Sequence, residues 1–211
     1  MESNLFSIEE YLHKELFQGC EYPWDVLKKI KSYIDQFNGQ KVDVSLYPNV
    51  YFKNAEMIFV GKNVEIEPGA YIQGPCILGN DTLIRHAAYL RGGVITGKQC
   101  VIGHSSEVKD SVLLDDVCVP HFNYVGNSIL GNRVNLGAGV KCANFRLDGK
   151  VVSVLWKGKK VESGLTKLGA LIGDGSSLGC NCVTSPGTVI SASVSCFPSL
   201  HLQGFIENKR G

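Results

Sequence analysis

Residues 60–96 read VGKNVEIEPGAYIQGPCILGNDTLIRHAAYLRGGVIT, and their reading decides the fold. An aliphatic side chain returns at every sixth position, at Val60, Ile66, Ile72, Leu78, Ile84 and Leu90, with Thr96 the one polar member. The column continues at Ile102, Val108 and Leu114. A second column lies four residues on: Val64, Ala70, Cys76, Thr82, Ala88, Val94, Cys100, Ser106, Val112 and Cys118, small or medium throughout. Glycine often follows the aliphatic position, as in Val60-Gly61, Leu78-Gly79 and Ile102-Gly103. A helix repeats at about 3.6 residues and a hairpin strand at about two, so neither holds two columns locked at six. A unit of six makes one short strand and one corner. The large aliphatic points inward, the smaller residue fills the space beside it, and glycine eases the turn. Such units bury their faces only against their neighbours and stack into a β-solenoid.

Downstream, the columns slip once, between Val119 and Leu130. They resume at Leu130, Leu136 and Cys142, with Val134 and Val140 beside them. The stretch from Arg146 to Lys167 carries no repeat. Gly149 and Gly158 divide it around a Val-rich segment, which predicts a hairpin extruded from the solenoid. The repeat returns at Ile172, Leu178, Thr184, Ile190 and Cys196, with Ser176, Cys182, Thr188 and Val194 beside them.

Upstream, Ser7-Ile8-Glu9-Glu10 has the form of a capping box, followed by apolar Tyr11, Leu12, Leu16 and Phe17. A second helix is expected from Pro23, with Trp24, Leu27, Ile30, Ile34 and Phe37 on its apolar face and a stop at Asn38-Gly39. The expected organisation is a helical appendage over 1–45, a solenoid over 46–200 with its hairpin near 146–167, and a polar, partly ordered tail over 201–211.

Composition agrees. Glycine takes 24 of 211 positions, above the usual ~7%, and charged residues are 19%, below the usual ~25%. At 44% hydrophobic, the chain is not a disordered one. A formal net charge of +1 offers nothing to a nucleic acid or a membrane surface. There is no long apolar run, and the acidic, amphipathic N-terminus is unlike a signal peptide. The 8 cysteines are not spaced as a secreted disulfide scaffold, and a cytoplasmic protein with reduced thiols is expected. Cys180 and Cys182 form a C-x-C, but no second pair completes a zinc site, so no metal is expected.

The hexapeptide pattern is similar to the left-handed parallel β-helix of the hexapeptide acyltransferases. The stretch from Arg91 to Asn144 is more specific. It resembles the C-terminal acetyltransferase domain of the bifunctional N-acetylglucosamine-1-phosphate uridylyltransferases, and still more that of archaeal-type sugar-1-phosphate nucleotidylyltransferases. The words that carry this include Leu90-Arg91-Gly92-Gly93, Ser106-Glu107-Val108-Lys109, Pro120-His121-Phe122-Asn123-Tyr124-Val125-Gly126, Val134-Asn135-Leu136-Gly137-Ala138-Gly139 and Ala143-Asn144. Further along, Lys157-Gly158-Lys159 and Leu168-Gly169-Ala170-Leu171-Ile172-Gly173-Asp174 fit the archaeal type. Tyr22-Pro23-Trp24-Asp25-Val26-Leu27 resembles the helical linker before the solenoid. The Gly-rich nucleotide loop of those bifunctional proteins has no counterpart here, so nucleotidyl transfer is not expected of this chain.

The resemblance implies a trimer that transfers an acetyl group from acetyl-CoA to an amino-sugar phosphate, most simply glucosamine-1-phosphate, on the way to UDP-N-acetylglucosamine. His121 is the candidate base. An ordinary histidine has a pKa of ~6.5 and can accept a proton near neutrality, and His121 stands where the columns slip. Arg91, Lys109 and Lys150 are candidate phosphate ligands, with Tyr124 a neutral donor. Three hexapeptides make one coil in the family's fold, so Arg91 and Lys109, eighteen residues apart, should stack on one face. Asn135 and Asn144 would position the amine and the sugar. Ala138 matches a position that lies against the acetyl group, which makes its N–H a candidate oxyanion donor. The acetyl-CoA groove should run along the later coils, around Ala170, Gly173 and Asp174. Phe145 stands where the bacterial enzymes carry tyrosine, and Ser153 where the archaeal type can carry a second lysine. Two other readings stay open: acylation of a different amino sugar, and a non-catalytic trimer that partners a separate nucleotidyltransferase.

Overall fold

The structure, a computed structural model, describes residues 5–207. From Tyr51 onward the chain visits three parallel sheets in rotation. Face I has eight strands, from Tyr51–Lys53 to His201–Leu202. Face II has eight, from Ile58–Val60 to Phe205–Ile206, and face III has seven, from Glu65–Ile66 to Ser195–Cys196. Each strand pairs with its counterpart one coil away, as Tyr71 does with Tyr89 and Leu83 with Val101. Every coil therefore satisfies the backbone donors and acceptors of its neighbours. This is the parallel β-helix that the columns predict.

Inward side chains from all three faces form one core, including Ile72, Leu90, Leu78, Leu130, Ile84 and Ile102. Thr96 is admitted because its hydroxyl accepts from the Gly79 N–H at 2.9 Å. Cys76, Cys100 and Cys142 are fully buried small hydrophobes, and burial pushes each thiol up to about 12.

The register departs from the predicted columns at an earlier point and over two coils. Leu90 pairs with Val108, eighteen residues on, but Val94 pairs with Ser111, seventeen on. The missing residue belongs to the corner between faces I and II. Gly92-Gly93 turns it in one coil, Asp110 alone in the next and Asn127 alone in the one after. Asp110 and Asn127 adopt φ of 45° and 48°, a left-handed turn that these two residue types tolerate. Consequently Leu113 faces the core in place of Leu114, and Val117 in place of Cys118. Val112 and Leu114 join an outer cluster, and Cys118 is only half-buried.

That outer cluster explains the appendage. The middle residues of the face II strands point away from the core and are apolar: Phe59, Ile77, Ile95, Val112, Ile129, Leu171 and Val189. Water would meet this row if nothing covered it. The N-terminal segment covers one part, through Tyr11, Leu16, Phe17, Trp24 and helix α1 (Val26–Gln36), whose Ile30 and Ile34 are buried. A turn over Pro23–Asp25 leads into α1, closed by the Tyr22 N–H donating to Asp25 Oδ2 at 2.9 Å. The helix expected after Ser7 does not form, and only a 3-10 turn, Lys14–Phe17, is present. The Ser7 N–H is taken by Asp174 Oδ2 at 2.8 Å, and its carbonyl accepts from Asn132 Nδ2 at 2.8 Å. Tertiary bonds thus replace the capping box.

The expected hairpin exists as Ser153–Trp156 against Lys159–Glu162, turning at Lys157-Gly158, both with positive φ. It lies over face II with Val152 and Val154 buried, and Trp156 meets Trp24 edge-on at 5.7 Å. The solenoid runs past residue 200. His201–Leu202 and Phe205–Ile206 add to faces I and II, so much of the expected tail is coil. The last four residues of that tail, 208–211, lie outside the described residues.

Candidate functional site

One corner position, between faces III and I, is held in successive coils by Pro68, His86, His104, His121, Ala138 and Cys180. His86 Nδ1 lies 2.7 Å from the Pro68 carbonyl, and His104 Nδ1 lies 3.0 Å from the His86 carbonyl. A carbonyl only accepts, so each Nδ1 carries the proton and Nε2 is the basic nitrogen. The two rings stack at 5.5 Å, and Phe122 meets His104 edge-on at 5.3 Å.

His121 continues this ladder but differs from it. Its ring is exposed and bonds no other described residue. Its backbone, in contrast, is held firmly. The His121 N–H donates to Asn123 Oδ1 at 3.0 Å, and its carbonyl accepts from the Gly139 N–H at 2.9 Å. Asn123 is buried and donates from Nδ2 to the Gly137 carbonyl at 2.7 Å, which ties the His121 corner to the Ala138 corner. A free imidazole on a fixed corner suits a proton acceptor. Ala138 occupies the same position one coil on. Its carbonyl accepts from the Asn181 N–H at 2.8 Å, while its own N–H donates to no described residue.

Face I carries the cationic candidates. Arg91 and Lys109 occupy equivalent positions in adjacent coils, as their spacing predicts, and Gly126 takes that position in the next. Arg91 Nη1 lies 2.6 Å from Glu107, whose hydrogen bond and charge raise its pKa further, and its guanidinium sits 5.8 Å from the Tyr89 ring centre. Lys109 pairs with Asp110 at 3.0 Å. Tyr124 and Asn144 converge over Gly126. The Tyr124 hydroxyl and Asn144 Nδ2 stand 2.6 and 2.7 Å from where a Cβ on Gly126 would lie. Asn144 Nδ2 also donates to Asn127 Oδ1 at 2.7 Å.

The other candidates lie apart from this group. Asn135 is exposed on face III. Lys150 is exposed in the loop leading to the hairpin, where its N–H donates to Asp148 Oδ1 at 3.2 Å. The carrier-groove residues are closed off within one chain. Ala170 faces the core, Gly173 is buried, and the Asp174 carboxylate accepts from Ser7 N, Asn132 N and Asn132 Nδ2. In this chain the Asp174 carboxylate clamps the N-terminal segment.

The C-x-C pair also divides. Cys180 is exposed, while Cys182 is buried and its thiol donates to the Phe197 carbonyl at 3.0 Å. Among the described residues no group of three or more His, Cys, Asp or Glu could hold a metal ion. No helix among them is long and apolar enough to cross a membrane. The structure places His86, His104, Asn123, Gly126 and Asn127 around these candidates, and sequence reasoning singled out none of them. The two histidines were detectable, since with His121 they recur eighteen and seventeen residues apart.

Comparison with known proteins adds to this geometry. A family profile described as the GMPPB C-terminal domain matches residues 72–163. A bifunctional sugar-1-phosphate nucleotidylyltransferase/acetyltransferase from Sulfurisphaera tokodaii is 45% identical over 80 residues, covering 38% of this chain. The match spans only 20% of that relative's length. The bifunctional protein GlmU of Methanococcus maripaludis is 42% identical over a similar share, 38% of this chain and 19% of that protein. Among solved structures, a hexapeptide transferase family protein from Anaplasma phagocytophilum shares the fold at a TM-score of 0.53 and 14% identity, over 71% of this chain and 81% of that one. The uncharacterized acetyltransferase YaiX of Escherichia coli is 31% identical over 172 residues, covering 81% of this chain and 74% of that protein. With six-residue columns that build a three-faced parallel β-helix, and with a relative that matches along most of its length, the chain belongs to the hexapeptide-repeat acyltransferases.

Proposed function

We propose that this acyltransferase moves an acetyl group from acetyl-CoA to the amine of an amino-sugar 1-phosphate, with glucosamine-1-phosphate as the acceptor. The observation that carries the reading is the corner shared by His121 and Ala138, next to a face holding Arg91, Lys109, Tyr124 and Asn144. His121 takes the proton as the amine attacks the thioester carbonyl, the C–S bond breaks, and the carrier leaves as a thiolate that picks up this proton to become the free thiol. The N–H of Ala138, in the next coil, faces the oxygen on which charge develops. Arg91, Lys109 and Tyr124 bind the sugar phosphate, and Lys150 joins them from its loop. Asn144 holds the sugar over Gly126, and Asn135 serves the amine from a neighbouring subunit of a trimer. The carrier reaches Ala138 along the same edge, whose next corner is Cys180.

The test supplies glucosamine-1-phosphate and acetyl-CoA and follows the release of free thiol. His121→Ala should slow the reaction by about 10²–10⁴-fold. Undiminished thiol release in that variant would remove His121 as the base. A panel of other amino-sugar phosphates checks the acceptor.

A further inference from the structure

A pocket of about 320 Å³ opens between helix α1 and the corner that joins faces I and II. We propose that it is the phosphate subsite of the acyl acceptor, with Lys28 and Lys31 of α1 acting beside Arg91. The helical appendage, on this view, supplies part of the binding site as well as the cover on face II. The inference rests on the sugar-phosphate reading above for the identity of the ligand.

Four observations support it. The first is charge. Lys28, Lys31 and Arg91 line the pocket against a single carboxylate, Asp110. Asp25 and Glu107 pair with Lys28 and Arg91 from outside the lining, so a phosphate monoester, which carries about −1.5 to −2 at neutral pH, would take their place on these two cations. The second is availability. Lys28 and Arg91 are held in the free chain by exposed pairs, with Asp25 at 2.8 Å and Glu107 at 2.6 Å, which are worth little, and Arg91 also by the Tyr89 ring 5.8 Å away. Lys31 has no ion pair among the described residues. A phosphate can exchange for these partners at small cost.

The third observation is the floor. Gly92 and Gly93 line the pocket with φ of 83° and 63°, and the corner loses a residue from this coil to the next. Asp110 Oδ1 fills the space beside Gly93 and the Gly93 N–H is given to the Pro75 carbonyl, so the backbone is bare to the pocket at Gly92, where an oxyanion can approach it. The fourth is continuity with the rest of the site. Asn127 lines the pocket, and its Oδ1 is occupied by Asn144, so its NH₂ remains to donate. A sugar joined to a phosphate in the pocket would extend past Asn127 toward the Tyr124 hydroxyl over Gly126. The volume lies at the small end of the range for ligand sites, about 300–1,000 Å³, as a hexose phosphate requires.

Calorimetric titration of the full chain with glucosamine-1-phosphate, with glucosamine and with inorganic phosphate tests this. The wild type should bind the phosphosugar, more weakly as salt rises, and inorganic phosphate should compete. A Lys28→Gln, Lys31→Gln double variant should bind the phosphosugar about tenfold more weakly and leave glucosamine binding unchanged. Equal phosphosugar affinity in the two proteins, or a wild type that favours glucosamine, would overturn the assignment. If the double variant unfolds, Lys31→Gln, which breaks no ion pair, carries the same comparison.

The two proposals fail separately. Acetyl transfer with an unchanged KM in the double variant sinks the pocket and leaves the activity. Phosphosugar binding that needs both lysines, without thiol release, sinks the activity and leaves the pocket.

Discussion

Gly126 shows how one missing side chain can shape a site. It follows Arg91 and Lys109 at the same face I position, and its bare Cα is what lets Tyr124 and Asn144 meet. In Gly126→Ala the new methyl would strike the ends of two flexible side chains, the Tyr124 hydroxyl and Asn144 Nδ2, and no core atom. Stability should change by no more than about 1 kcal/mol, because both side chains can swing away. The KM for the phosphosugar should rise several-fold, because the two donors no longer converge. Thermal unfolding and steady-state kinetics on one preparation separate these effects. A KM that does not move would show that Tyr124 and Asn144 never touch the acceptor. His121, Arg91 and Lys109 stand out as candidates because their neighbours spell family words, and Arg91 and Lys109 lie one coil apart. Gly126 sat inside one of those words, yet its role lies in an empty space, and residue identities alone do not show that.

At the scale of elements, the six-residue columns locate the solenoid and the break near 146–167 locates the hairpin. They fail at Leu114 and Cys118, because a corner can shed a residue when Asp110 or Asn127 takes a left-handed turn. A fixed period cannot follow such a change. The Ser7 capping box failed for a different reason, since bonds to Asp174 and Asn132 outweighed a local preference. The appendage that results has a titratable weak point. His13 is completely buried among Tyr11, Tyr33 and Phe37, with Nδ1 3.0 Å from the Tyr33 hydroxyl and Nε2 without a partner. Burial lowers its pKa to about 4, against ~6.5 in an unfolded chain. Between those values the unfolded state binds more protons, so stability is complete above about pH 6.5 and is lost as the pH falls through about 4. The loss should reach about 3 kcal/mol. Both tryptophans of the chain, Trp24 and Trp156, meet where the appendage touches the hairpin, so their fluorescence reports on this junction. Denaturant midpoints read by that signal should fall across this window. In His13→Leu, which cannot charge, this part of the slope should vanish, and an unchanged slope would place the acid sensitivity elsewhere.

At the scale of the molecule, a solenoid has straight, convex edges, whereas a site that holds a small molecule is concave and covers most of it. His121 is exposed on such an edge with Phe122, 57% exposed, beside it, and the Arg91 pocket opens at the opposite edge of face I. If His121 is the base, as proposed, it needs a second wall, and another copy of the chain in a closed trimer would supply it. Sedimentation should then give three times the 23.0 kDa chain mass. The sharper prediction concerns which chain supplies each residue. If His121 of one subunit works on a substrate held by Arg91 of the next, chains carrying His121→Ala and chains carrying Arg91→Ala should complement each other. Each homotrimer should be nearly inactive at low acceptor concentration. When equal amounts are co-expressed, a site is whole whenever its His121 side comes from one variant and its Arg91 side from the other. Random assembly makes this true of about a quarter of the sites, so about a quarter of wild-type activity should return. If both residues of a site come from the same chain, no arrangement of the two variants builds a whole site, and thiol release from the mixture should stay at the level of the separate variants.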